Sequence, residues 1–186
     1  GMVPSAMIQR DFNLECVNLA TSGQARMDFY IAEAMASIED AICYVIDPVP
    51  NCTKDRCDTA TYDFINILRT LRPEVPIVMV EGLMYPYTRH DSYHAEYLPQ
   101  KNECFRRGFD QHVAENPKGM YYMTHEGQTG PDMEGTVDGV HLTDYGFRAY
   151  ADLLEIVVKE ALDDTDVDYD VEPAYNVVRK KTFWQR

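Results

Sequence analysis

The sequence predicts a three-layer α/β/α sandwich built on a mainly parallel sheet. Three observations carry this. Short runs that are apolar throughout alternate with longer amphipathic stretches, the pattern of strands buried on both faces and helices buried on one. The order reads β-α-β-α-β-α-β-α, and parallel neighbours need crossover helices that cover both faces of the sheet. The chain has 186 residues, 45% hydrophobic and 26% charged, enough for one full core without disulfide or metal staples.

Each element has its own signal. Residues 16–20 (Cys-Val-Asn-Leu-Ala) read as the first strand. Residues 27–40 place Phe29, Ile31, Ala34, Met35 and Ile38 at helical spacing. Residues 41–46 read as a buried strand ended by Asp47-Pro48. Residues 59–71 form a helix with Tyr62, Ile65, Leu68 and Leu71 inward, stopped before Pro73. Residues 76–81 are a third strand, and 92–115 a helical region in which Pro99 is the candidate break. Residues 120–124 are a fourth strand. Residues 143–162 close the domain as a helix, with Asp144 in its first turn and Phe147, Tyr150, Leu153, Leu154 and Val157 inward. In such sheets ligands gather beyond the carboxyl ends of the strands, which points to loops 21–26, 47–58, 82–91 and 125–142.

The domain is expected to span 1–162. Residues 163–172 read as an acidic linker and 174–186 as a basic, aromatic tail that docks back or adds a strand at 175–178. Calcium binding by the linker lacks the EF-hand glycine and closing glutamate. With 31 acids against 17 bases the net charge is −14, which repels phosphate backbones and disfavours nucleic acid as a partner. No apolar run approaches the ~18 residues of a membrane span. Gly1 before Met2 reads as a tag scar, no secretory signal follows, and the compartment stays unassigned. Five cysteines at irregular spacing are no disulfide framework; Cys52 and Cys57 are near enough to pair or to stay free.

The strongest local signal is Val137-Asp138-Gly139-Val140-His141-Leu142-Thr143-Asp144-Tyr145-Gly146, just before the last helix. An Asp and a His three apart in a turn can set a carboxylate against one ring nitrogen and leave the other as a base. A capping Asp beside a surface His is the alternative.

Asp138-Gly139-Val140-His141 followed by Gly146 resembles the last block of the SGNH, or GDSL-type, serine hydrolases. Asn18-Leu19-Ala20-Thr21-Ser22-Gly23 resembles the second block and Asp47-Pro48-Val49-Pro50-Asn51 the third, in order and spacing. The phrases Val80-Glu81, Tyr85-Pro86 and Gly135-Thr136-Val137 are similar to a bacterial lipase/acylhydrolase branch. The resemblance covers residues 1 to about 162 and implies an SGNH-type, flavodoxin-like sandwich. It implies His141 as general base, Asp138 as its orienting acid, and Gly23 N–H with the Asn51 side chain as oxyanion donors. The implied reaction is acyl-ester hydrolysis through an acyl-enzyme, on a small acyl ester or acylated carbohydrate, with no cofactor.

The departures are equally specific. The family's first block places the nucleophilic serine at the end of its first strand, and nothing here reads as strand-Gly-x-Ser; Gly1-Met2-Val3-Pro4 aligns just after it. Ala20, Gln24 and Ala25 also replace residues usual in that branch. Ser22, Cys52, Ser5, Ser37 and Ser92 are the substitutes considered, and none is assigned as nucleophile. The chain is therefore expected to be inactive. The resemblance puts the missing strand between 16–20 and 41–46, leaving open strand edges through which copies could associate. A start at an internal Met is the preferred account; a degenerate hydrolase, or closure by the tail or a partner, are the others.

Glu81, Tyr85 and His90 are the candidate substrate-pocket residues. His90 and His94 could share a metal at i and i+4, but without a catalytic Glu the pattern is weak and no metal is expected. His125-Glu126 reads as a loop at the same mouth. A non-catalytic carbohydrate or acyl-sugar binding module is the alternative function. An electron-transfer flavodoxin is disfavoured, because no phosphate-cradling loop follows the first strand.

Overall fold

The structure, a computed structural model, describes residues 1–165; the predicted strand at 175–178 and the rest of the tail lie outside the described residues. The elements run α1 (Pro4–Phe12), α2 (Phe29–Ala36), β1 (Tyr44–Ile46), α3 (Lys54–Leu71), β2 (Ile77–Val80), α4 (Ser92–Glu115), β3 (Met120–Met123) and α5 (Asp144–Asp163). The three strands pair in parallel in the order β1-β2-β3. Parallel pairing puts every carboxyl end on one side, where loops 47–58, 82–91 and 125–142 follow; loop 21–26 follows no described strand.

β2 is buried along its whole length because it has strands on both sides and helices on both faces. Ile77 and Met79 pack with Phe64, Ile65 and Leu68 of α3 and Phe105 of α4. Val78 and Val80 pack instead with Phe12 of α1 and Tyr150, Leu154 and Val158 of α5. That two-residue alternation makes the three layers: α2, α3 and α4 on one face, α1 and α5 on the other. Each fully buried aliphatic side chain here contributes about 1.5–3 kcal/mol. No helix of the described residues is long and apolar enough to cross a membrane.

The predicted first strand does not form. Residues 16–20 carry no strand pairing, and Val17 and Leu19 are 53% and 41% exposed. A strand needs a neighbour for its amides, and no described strand lies beside this segment. The Asn18 side chain bends the segment on itself, its Oδ1 accepting the Ala20 N–H at 2.9 Å. Its Nδ2 donates to Ser5 Oγ at 3.3 Å. β1 accordingly pairs with β2 alone among the described residues.

Other boundaries move for local reasons. α1 has no place in the predicted element order; Pro4 at its first turn presets φ, Met7 and Phe12 bury, and Asn13 at φ +51° stops it. α2 is shorter than 27–40, ending where Ser37 folds its hydroxyl onto the Ala34 carbonyl at 2.7 Å. α3 begins at Lys54, earlier than its apolar period shows, because Thr53 caps it by accepting the Arg56 N–H at 3.1 Å. α4 runs unbroken through Pro99.

Two polar groups sit between neighbouring helices of the same layer. Arg148 of α5 donates to Asp11 of α1 at 2.8 Å, pairs with Asp152 at 2.8 Å, and also bonds Glu155. His112 of α4 is fully buried beside the Tyr62 ring, with neither ring nitrogen hydrogen-bonded among the described residues. Burial, with Arg69 nearby, holds its pKa below the usual imidazole value. The sign follows: below the ordinary value the unfolded chain takes up a proton that the folded chain refuses. Stability is therefore lost as pH falls from that value through the depressed one. Melting curves between pH 7 and pH 5 should show a steeper fall for the parent than for His112→Phe; equal slopes would reject the assignment.

Candidate active site

The Asp-Gly-Val-His segment is the tip of a tight hairpin. Thr136 and Leu142 form an antiparallel bridge, and the Val137 N–H donates to the His141 carbonyl at 2.9 Å. Asp138 turns the tip. Its Oδ1 accepts the N–H of Val140 at 2.9 Å and of His141 at 2.7 Å, and its Oδ2 lies 2.7 Å from His141 Nδ1. Gly139, at φ +87°, supplies the left-handed residue this turn requires. The His141 backbone N–H, then its ring, hold the Asp138 carboxyl well below the usual carboxylate range. With Nδ1 engaged, Nε2 is the nitrogen that can exchange a proton, and the His141 side chain is 78% exposed.

The hairpin is fixed to α5 through its stem. Thr143 donates its N–H to the Gly135 carbonyl at 2.9 Å and caps α5 by accepting the Gly146 N–H at 3.2 Å. Gly135 and Gly146 meet backbone to backbone; a Cβ on Gly135 would stand 2.7 Å from the Gly146 Cα.

An aromatic ladder leads away from the tip. A Cβ at Gly139 would touch Tyr87 at 3.3 Å. Tyr87 stacks on buried Tyr85 with centroids 5.5 Å apart and meets the His94 ring edge-on at 5.3 Å. His94 meets Tyr93 edge-on at 5.0 Å, and Tyr93 stacks on Tyr97 at 5.5 Å. His94 Nδ1 lies 2.7 Å from Asp91 Oδ2, while Asp91 also caps α4. His90 is exposed at the end of the 3-10 turn Pro86–His90, before α4 starts. The two histidines thus do not share a helical face.

Asn51 ends the 3-10 turn Val49–Asn51 that follows β1. Buried Val49 seats this turn; a Cβ on Gly82 would stand 2.7 Å from Val49 Cγ1. Lys101 of α4 reaches the Pro50 carbonyl at 3.4 Å, and burial lowers its pKa. Gly23 sits at φ +72° in an exposed loop, with the Arg26 Nε donating to its carbonyl at 3.3 Å. Arg56 of α3 anchors that loop, donating to the carbonyls of Arg26 at 2.8 Å and Met27 at 2.7 Å. Among the described residues no hydrogen bond joins Gly23 or Asn51 to the Asp138–His141 pair.

The candidate pocket residues part company. Tyr85 belongs to the ladder. Glu81, nearly buried at the end of β2, accepts the His125 N–H at 3.0 Å and lies 2.7 Å from His125 Nδ1. This pair heads a separate cleft of about 630 Å³ along α4, lined also by Asn102, Arg106 and Asp110. Of the serines, Ser5 bonds Asn18 and Ser37 bonds Ala34; among the described residues none is hydrogen-bonded to His141. All five cysteines are free thiols, and the Cys57 thiol lowers the pKa of buried Cys52 through a hydrogen bond.

Two positioning residues escaped the sequence reading. Asn102 brackets the Gly82 peptide, accepting its N–H at 2.9 Å and donating to its carbonyl at 3.0 Å. The available signal was a polar residue in the buried stripe Leu98, Asn102, Phe105, Phe109. Tyr150 donates to Asp47 at 2.7 Å, tying the end of β1 to α5, and burial beside Asp47 raises the Tyr150 pKa. No local pattern links residues so far apart.

Comparison with known proteins bears on the fold and the family. A "putative GDSL-like lipase" from Bacteroides ovatus ATCC 8483 superposes with a TM-score of 0.82 at 28% identity, over 88% of this chain and 48% of the other. The salicylyl-acyltransferase SsfX3 from a tetracycline biosynthetic pathway shares the fold, with a TM-score of 0.67 at 14% identity, over 84% of this chain and 48% of its own. The chain thus spans about half the length of each. No curated protein matches it. The description of the GDSL-like lipase/acylhydrolase family matches residues 1–159, and the chain belongs to that family.

Proposed function

We propose that this chain carries the acid–base and oxyanion groups of an acyl-ester hydrolase acting on an acylated carbohydrate. The observation behind this reading is the Asp138–His141 pair, with Nδ1 held at 2.7 Å and Nε2 open. Asp138 fixes the tautomer and stabilises the imidazolium. His141 takes the proton of an attacking hydroxyl and returns it to the leaving alcohol. The Gly23 N–H and the Asn51 side chain receive the negative charge of the tetrahedral intermediate. Acylated sugar suits the aromatic ladder that starts at the tip, since exposed Tyr93 offers a ring face to sugar C–H groups.

Turnover also needs a nucleophile, and no serine of the described residues is hydrogen-bonded to His141. The chain by itself is expected to leave p-nitrophenyl acetate at its background rate. Joining a strand followed by a Gly-x-Ser turn to the N-terminus should raise hydrolysis above that background. A folded fusion that stays at background would reject the esterase reading. If that fusion binds acetylated sugar saturably without turning it over, the ladder instead marks a non-catalytic binding module. Among the described residues, 16–20 join no sheet and β1 pairs with β2 alone, which supports self-association as a further reading.

A further inference from the structure

We infer that Glu81, His125 and Glu126 form a binding site for a divalent transition-metal ion at the head of the α4 cleft. Each offers one donor atom, and the three atoms lie within 4.8 Å of one another. The His125 ring stands between the carboxylates, with Nδ1 2.7 Å from Glu81 and Nε2 3.8 Å from Glu126. An ion binds one ring nitrogen: at Nδ1 it replaces the hydrogen bond to Glu81, and exposed Glu126 rotates towards it to reach metal–donor distances of about 2.0–2.2 Å.

The surroundings favour a cation. Glu81 is only 8% exposed, at the end of the central strand, and a buried carboxylate calls for a positive partner. The Arg106 guanidinium, which lines the cleft, is committed elsewhere: it bonds Asp110 at 2.7 Å and lies over the Tyr122 ring at 4.3 Å. Two carboxylates therefore face one imidazole, an arrangement that a divalent ion balances. Two carboxylate oxygens and one imidazole nitrogen, with no thiolate, suit Zn²⁺ or Mn²⁺ rather than a soft ion.

The donors are also pre-positioned. Fully buried Gln128 donates to the Glu81 carbonyl at 3.1 Å and the Thr124 carbonyl at 3.0 Å, clamping the turn that carries His125 and Glu126. Three protein donors leave coordination positions for water or a small ligand, and the 630 Å³ cleft opens onto them. The site is separate from Asp138–His141, and nothing in it depends on the hydrolase reading.

Calorimetric titration of the full chain with ZnCl₂, and separately MnCl₂, tests this. One saturable site is expected, at least tenfold weaker in His125→Ala and in Glu126→Gln and unchanged in His94→Ala and His141→Ala. Zn²⁺ should raise the melting temperature of the parent but not of Glu126→Gln, an exposed substitution that leaves the fold intact. No saturable binding, or binding lost in His94→Ala or His141→Ala but kept in His125→Ala, overturns the proposal.

Discussion

In the fusion that supplies the serine, Asp138→Asn is expected to lower kcat about 10³–10⁴-fold while the melting temperature stays near the parent's. The asymmetry comes from the two oxygens. Oδ1 accepts the N–H groups of Val140 and His141, and an Asn oxygen can do the same, so the turn survives. Oδ2 faces His141 Nδ1, where the Asn amide would present a donor. The ring must then carry its proton on Nε2, the wrong tautomer for a base, and the imidazolium loses its counter-charge. Steady-state kinetics with parallel melting curves check this. A kcat within tenfold of the parent would mean that Asp138 is only a turn-former, as its capping bonds alone would allow.

Gly146→Ala should be the most damaging single methyl in the domain. A Cβ at that position would overlap the Gly135 carbonyl oxygen and stand 2.8 Å from its carbon and 2.9 Å from Leu142 Cδ2. Neither side can yield easily, since that carbonyl also accepts from Thr143. The expected cost is about 3–5 kcal/mol, the range of severe backbone clashes, or roughly 10 °C in melting temperature. Gly23→Ala is the contrast: open space surrounds it, and only its φ of +72° counts, about 1–2 kcal/mol. Equal losses for the two would show that the hairpin stem is looser than the close approach implies.

These cases show which features a linear reading can reach. The Asp138–His141 pair was legible because its partners lie three residues apart and the turn between them uses local hydrogen bonds. The sheet was legible at β2, whose four residues are all apolar because all are buried. The strand expected at 16–20 was misread for the opposite reason. Its composition suits a strand, but strand formation is a property of the pair, and the segment has no partner among the described residues. The start of α3 was hidden because a cap, not apolar spacing, sets it. Glu81 was named from a motif, yet its contact with His125 spans 44 residues and could only emerge from the parallel register of β2 and β3.

The Arg148 cluster has a consequence for the order in which the chain assembles. Its bond to Asp11 joins residues 137 apart, so α1 is completed only once α5 has been made. Until α5 emerges, Phe12 lacks the α5 side chains of its core cluster and Asp11 lacks its guanidinium. α1 must therefore wait for α5 as a short, marginal helix, docking late rather than seeding the fold. The early centre is instead the α3–β2–α4 region, whose partners are neighbours in sequence and can close the smaller loops first.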